Sequence, residues 1–143
     1  MRRALVSAIA VVLVPCAVVL AQGDAEALAP LQGRWVVTGG EHQGRPLDAI
    51  KGGVMAVTGN AFEIRTASGN MLKGTLLLDT SARPFRMDML HADGTKWEAI
   101  YETAGDTFRL NYVEVGGKDV RPTTFATADS TEASIIVLRR EDR

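Results

Sequence analysis

Cysteine is nearly absent from this chain, with Cys16 the single one. That excludes an intrachain disulfide framework and thiolate metal clusters of the zinc-finger kind. Histidine is scarce too. His42 and His91 have no ligand-like spacing to each other or to the cysteine, so no metal and no other cofactor is expected. His91, beside Asp93-Gly94, reads as a solvated turn residue. No G-x-S-x-G elbow occurs, and the glycine pairs Gly39-Gly40 and Gly52-Gly53 lack the lysine-serine pair of a phosphate-binding loop. Glu98 and Glu102 fall on one strand face and read as solvated charges, not an acid–base pair. An excess of either charge is missing as well. The net charge is −1, which argues against a nucleic-acid partner. No catalytic residue can be named, and the chain is not expected to be an enzyme.

What is present begins with the one long hydrophobic run. A basic head, Met1-Arg2-Arg3, precedes "ALVSAIAVVLVPCAVVL", and Val19-Leu20-Ala21 fits a cleavage site. This is the pattern of a secretory signal peptide over residues 1–21, leaving a domain at 22–143. Pro15 in the run and the lack of a basic stop after it disfavour an uncleaved anchor. The same Pro15, directly before Cys16, disfavours a lipoprotein, because lipidation needs a small residue there. Losing the leader removes Cys16 and takes the net charge to −3. The expected location is periplasmic or extracellular, with no stable membrane insertion after cleavage.

Residues 24–30, "DAEALAP", predict a short helical turn with Asp24 as its N-cap and Pro30 ending it. Beyond Arg34 the helical period disappears, except for "PLDAI" within the long connection 39–52. Turn signals then recur at Gly59-Asn60, Ser68-Gly69-Asn70, Asp93-Gly94, Ala104-Gly105-Asp106 and Gly116-Gly117. Between them the runs alternate. "AFEIRT", "KGTLLLD", "FRMDML", "KWEAIYE" and "TFRLNY" each set apolar or aromatic residues against charged ones. "RPTTFAT", begun by Pro122, is a candidate extra strand. One-sided strands joined by short hairpins, with no helices to cover them, predict an all-β fold. The expected form is an antiparallel up-and-down barrel of about eight strands.

In such a barrel the start of the first strand meets the end of the last. Here "GRWVV" meets "IIVLRR", so Trp35 should pack against Arg139 or Arg140, with Gly33 leaving room for the chain to cross under that end. Both faces of "SIIVLRR" are apolar, so alternation cannot choose between the two arginines.

Gly33-Arg34-Trp35, a meander and a terminal arginine together resemble the G-x-W start of lipocalins and fatty-acid-binding-type barrels. More closely, the chain resembles a bacterial, planctomycete-type lipocalin-like domain family of unknown function. The shared blocks are Leu31-Gln32-Gly33-Arg34-Trp35, Gly44-Arg45-Pro46-Leu47, the Leu78 to Pro84 turn, Gly105-Asp106-Thr107, Arg121-Pro122-Thr123-Thr124-Phe125 and Leu138-Arg139-Arg140. The resemblance implies a lipocalin-like barrel and no activity.

Alternation points Phe62, Phe85, Met87, Trp97, Tyr101, Phe108 and Tyr112 inward. They either line a pocket for a small apolar or amphipathic ligand, with Tyr101 or Tyr112 as polar anchor, or fill a packed core. The first makes the protein a non-catalytic binder. The second makes it an interaction module for a protein or cell-surface partner, with an exposed apolar patch around Leu77, Ile100 or Val113. The connection 39–52 should lie over the end opposite Trp35, as a lid or a plain link.

Overall fold

The computed structural model describes residues 22–141. Residues 1–21, with the expected signal peptide, Cys16 and the expected cleavage site, lie outside them. After helix α1 (Gln22–Leu28) come nine strands: β1 (Gly33–His42), β2 (Arg45–Pro46), β3 (Val54–Thr58), β4 (Ala61–Arg65), β5 (Met71–Asp79), β6 (Phe85–His91), β7 (Lys96–Ala104), β8 (Thr107–Glu114) and β9 (Ser134–Arg140). Each long strand pairs antiparallel with its neighbour in the chain, and β9 returns to pair with β1. The result is a closed up-and-down barrel of eight strands, with β2 a two-residue stub on the end of β1. Closure gives each of the eight barrel strands two partners and removes the free edges on which open sheets aggregate.

Alternation supplies the interior. Trp35, Met55, Phe62, Leu76, Met87, Met89, Ala99, Tyr101, Phe108, Leu110 and Leu138 are buried in one core cluster. Two glycines permit the curvature. β5 pairs with β4 through its first half and with β6 through its second, and Gly74 and Thr75 are shared by both ladders. A Cβ there would stand 1.9 Å from the Leu90 carbonyl oxygen, so only glycine admits so sharp a corner. Gly40 has the same role in β1, where a Cβ would lie 2.6 Å from both the Ile135 carbonyl and the Ile50 side chain.

Several expectations need correction. The connection 39–52 is partly strand, since β1 runs through Gly39-Gly40 to His42, with a register shift between Val37 and Gly39. "PLDAI" does form a 3-10 turn, Asp48–Ile50, and Ile50 packs against the core at the end of the barrel opposite Trp35. Asp24 lies in the first turn of α1, which starts at Gln22, so it is not the cap. Pro30 does not end the helical segment, since it lies inside a 3-10 turn, Ala29–Leu31, that follows α1 directly. "RPTTFAT" is not a strand.

That last segment belongs to a strap, residues 115–133, laid across the outside of the barrel between β8 and β9. Asn111 points outward from β8, is fully buried, and donates through Nδ2 to the Thr124 carbonyl at 2.8 Å. Arg121 donates to the Ala99 carbonyl at 2.9 Å and pairs with Asp88 at 2.5 Å. Burial raises the Asp88 carboxyl, but its bonds to Arg121 and Lys96 outweigh this and hold it below the usual range. Arg109 stacks on Phe125 at 4.1 Å, and Thr127 donates to Glu41. Ile100, Val113 and Ile135, all outward-facing, are buried as a consequence. Of the three residues named for an exposed apolar patch, only Leu77 is exposed.

Candidate functional site

The two ends of the barrel are built differently. At the end where β1 starts and β9 finishes, Trp35 and Arg140 are register partners. Arg140, not Arg139, lies over the indole, its Cζ 4.2 Å from the ring centroid. Its guanidinium donates to the carbonyls of Gln32 at 2.7 Å and Pro30 at 3.1 Å. Trp35 Nε1 donates to the Leu31 carbonyl at 2.9 Å, and Phe108 meets the indole edge-on at 5.4 Å. Gly33 has φ +107°, and a Cβ there would press to 3.3 Å from the Arg140 guanidinium. Leu28 and Leu31 are buried, so α1 and the 3-10 turn after it cap this end. Gln32, which sequence reasoning passed over, clamps the cap. Its amide donates to the Gly59 carbonyl and accepts from the Gly59 N–H, both at 2.8 Å. The "LQG" spelling carried no hint of a turn 27 residues away.

The opposite end carries a continuous chain of side chains. Phe62 meets His91 edge-on at 5.3 Å, and His91 meets Trp97 at 4.4 Å. Trp97 stacks on Tyr112 at 4.1 Å and 16°. Tyr112 is the register partner of Ser134, whose hydroxyl lies 2.8 Å from His42 Nδ1. Both histidines are therefore strand ends and not loop residues. His91 is only 7% exposed, which corrects the solvated reading, and its Nε2 has no hydrogen-bond partner. Burial lowers its pKa, against the pull of Asp93 and Glu114. Burial raises the Tyr112 phenol, and a bond to Ser134 opposes it. Among the described residues no group of three or more histidine, cysteine or acidic side chains comes together to hold a metal ion.

Between these ends the interior is packed. Met87, Met89 and Phe108 are fully buried, Phe62 nearly so, and Leu110 and Leu138 fill the gaps between them. Phe85 and Tyr101 are different. They are register partners on β6 and β7 with ring centroids 5.7 Å apart, and both line a cleft of about 390 Å³ beside α1. Ala27 and Pro30 form its helical wall, and Glu26, Thr80 and Thr103 supply its polar groups. Burial pushes the Tyr101 phenol up to about 12, so it is a neutral donor and acceptor at ordinary pH. Arg83 covers Phe85 at 4.4 Å while donating to the carbonyls of Thr80 and Ala82. The arrangement can hold a small molecule by apolar contact and orient it by hydrogen bonds. No helix among the described residues is long and apolar enough to cross a membrane.

No family model matches the chain, and no curated protein matches it. Among solved structures it is similar to a de novo designed fluorescence-activating β-barrel, with 16% identity and a TM-score of 0.46 over 80% of this chain and 97% of that one.

Proposed function

We propose that this protein is exported and binds a small apolar or amphipathic molecule without chemical conversion, in the cleft between α1 and the β6–β7 pair. The observation that carries the reading is that Phe85 and Tyr101, picked out as interior ligand candidates, share a cleft of about 390 Å³. Known ligand pockets run from roughly 300 to 1,000 Å³, so the space suits a small ligand. Affinity would come from apolar area removed from water, at roughly 25 cal/mol per Å², and orientation from the Tyr101 hydroxyl. Of the other interior candidates, Phe108 meets Tyr101 edge-on and Met87 lies in the packed core, while Phe62, Trp97 and Tyr112 belong to the chain of side chains toward the other end. The basic and apolar leader supports export.

Native mass spectrometry of the protein recovered from its own cells tests this. A reproducible added small-molecule mass, released on denaturation and reduced in Phe85→Ala, is the expected result. A bare mass, together with no thermal stabilisation by any of a panel of apolar compounds, would overturn it.

A packed interaction module is the second reading. The filled interior favours it, as do Leu77 and Leu90, exposed on the outer faces of the paired strands β5 and β6. Co-purification of one protein partner, lost in a Leu77→Glu variant, would favour it over ligand binding.

A further inference from the structure

The polar groups around the cleft between α1 and the β6–β7 pair are one-sided. They are the hydroxyls of Thr80, Thr103 and Tyr101 and the carboxylate of Glu26, and no lysine, arginine or histidine lines the space. Glu26 pairs with no cation among the described residues. Its helix, "QGDAEAL", carries Asp24 and Glu26 and no base. Asp24 in turn lines the smaller cleft on the same helix, beside Leu28, Leu76 and Leu78. The two nearby guanidiniums are fixed in place by backbone carbonyls, which hold them without cancelling their charge. Arg140 is held by Trp35, Gln32 and Pro30, and Arg83 by the Thr80 and Ala82 carbonyls. Arg83 also shows that the face of the Phe85 ring accepts a cation.

The geometry points to a small amphipathic amine as the ligand class: a ring or short apolar body against Phe85, Tyr101 and Pro30, with its ammonium group toward Glu26. This rests on the cleft being the binding site. An ammonium group needs acceptors, and carboxylate and hydroxyl oxygens provide them. A ligand carboxylate would bring like charge toward Glu26, and Arg83, the cation beside the space, lies over Phe85 and is not among the lining residues. Specificity is then a matter of what the cleft repels as well as what it holds.

Three compounds of one shape separate the outcomes: phenethylamine, 2-phenylethanol and 3-phenylpropionate, titrated onto the full chain at neutral pH and low salt and followed by calorimetry. The amine should bind about 5-fold tighter than the alcohol, with the acid weakest. Glu26→Gln should bring the amine to within about 2-fold of the alcohol and leave the alcohol unchanged, since it removes charge and not apolar area. Equal binding of amine and alcohol, or tightest binding of the acid, would overturn the amine class while the cleft stands. Binding of none of the three, or binding insensitive to Phe85→Ala, would remove the cleft reading and this inference with it.

Discussion

Trp35→Ala should be among the most damaging substitutions in the barrel. Trp35 is fully buried, so truncation removes a large apolar side chain and leaves a cavity, a change that costs about 3–5 kcal/mol in protein cores. The indole also holds Leu31, itself fully buried, through the Nε1 bond to its carbonyl, and stranding that acceptor costs roughly 1–3 kcal/mol more if nothing replaces it. Arg140 loses the face it stacks on but keeps its bonds to Gln32 and Pro30. Partial collapse of the cap offsets some of this, so the net loss should be about 4 kcal/mol. That is a large share of the roughly 5–15 kcal/mol that stabilises a domain. Trp35→Phe keeps most of the volume but lacks the donor, and should lose about 1–2 kcal/mol. Urea unfolding followed by far-UV circular dichroism measures both, and Trp97, at the other end, gives an independent fluorescence signal. A loss below about 1 kcal/mol for Trp35→Ala would refute the reasoning that this residue closes the barrel.

Other consequences are equally direct. The lowered pKa of His91 means that the unfolded chain, with its histidine near 6.5, takes up a proton more readily than the folded one. Stability should therefore fall as pH drops below about 6.5 toward the folded value, and the urea midpoint of the wild type should fall relative to that of His91→Phe across that window. Asp88, whose carboxyl is held low, adds its own loss only below about 4, which separates the two effects. Asn111→Ala should cost about 2 kcal/mol by leaving the Thr124 carbonyl without its donor, and should raise proteolysis within the strap; an unchanged cleavage pattern would argue against the strap's anchoring. Gly74→Ala should cost more than about 3 kcal/mol, because the new methyl meets backbone and not a flexible side chain; tolerance of it in a thermal melt would disprove the shared corner of β5.

The barrel was legible because alternation with period two repeats strand after strand, and a meander of one-sided strands has few other ways to bury itself. The strap was not. Ile100 and Val113 stand at outward positions, and both faces of "SIIVLRR" are apolar. Those residues break the charged outer pattern, and they were the only trace of a covering segment that itself forms no strand. His42 was misplaced because Gly39-Gly40 reads as a chain break, whereas glycine is needed at Gly40 to let Ile50 and the Ile135 carbonyl approach β1, and His91 because Asp93-Gly94 beside it reads as a turn. Phe85 and Tyr101 could be set facing inward from sequence. The gap beside them could not, because it depends on where α1 comes to rest.

The position of β9 governs the order in which the molecule can be completed. It lies between β8 and β1, and Trp35 pairs with Arg140 across most of the chain. Until residues 134–140 are available, β1 and β8 each present an unpaired edge, and the strap has no second anchor from which to stretch. An incomplete chain therefore has exposed edges on both sides of one gap, each a template for a foreign strand. Contacts of such long sequence separation also form slowly. The barrel has no self-sufficient half, so its vulnerable interval lasts for nearly the whole time that its synthesis takes.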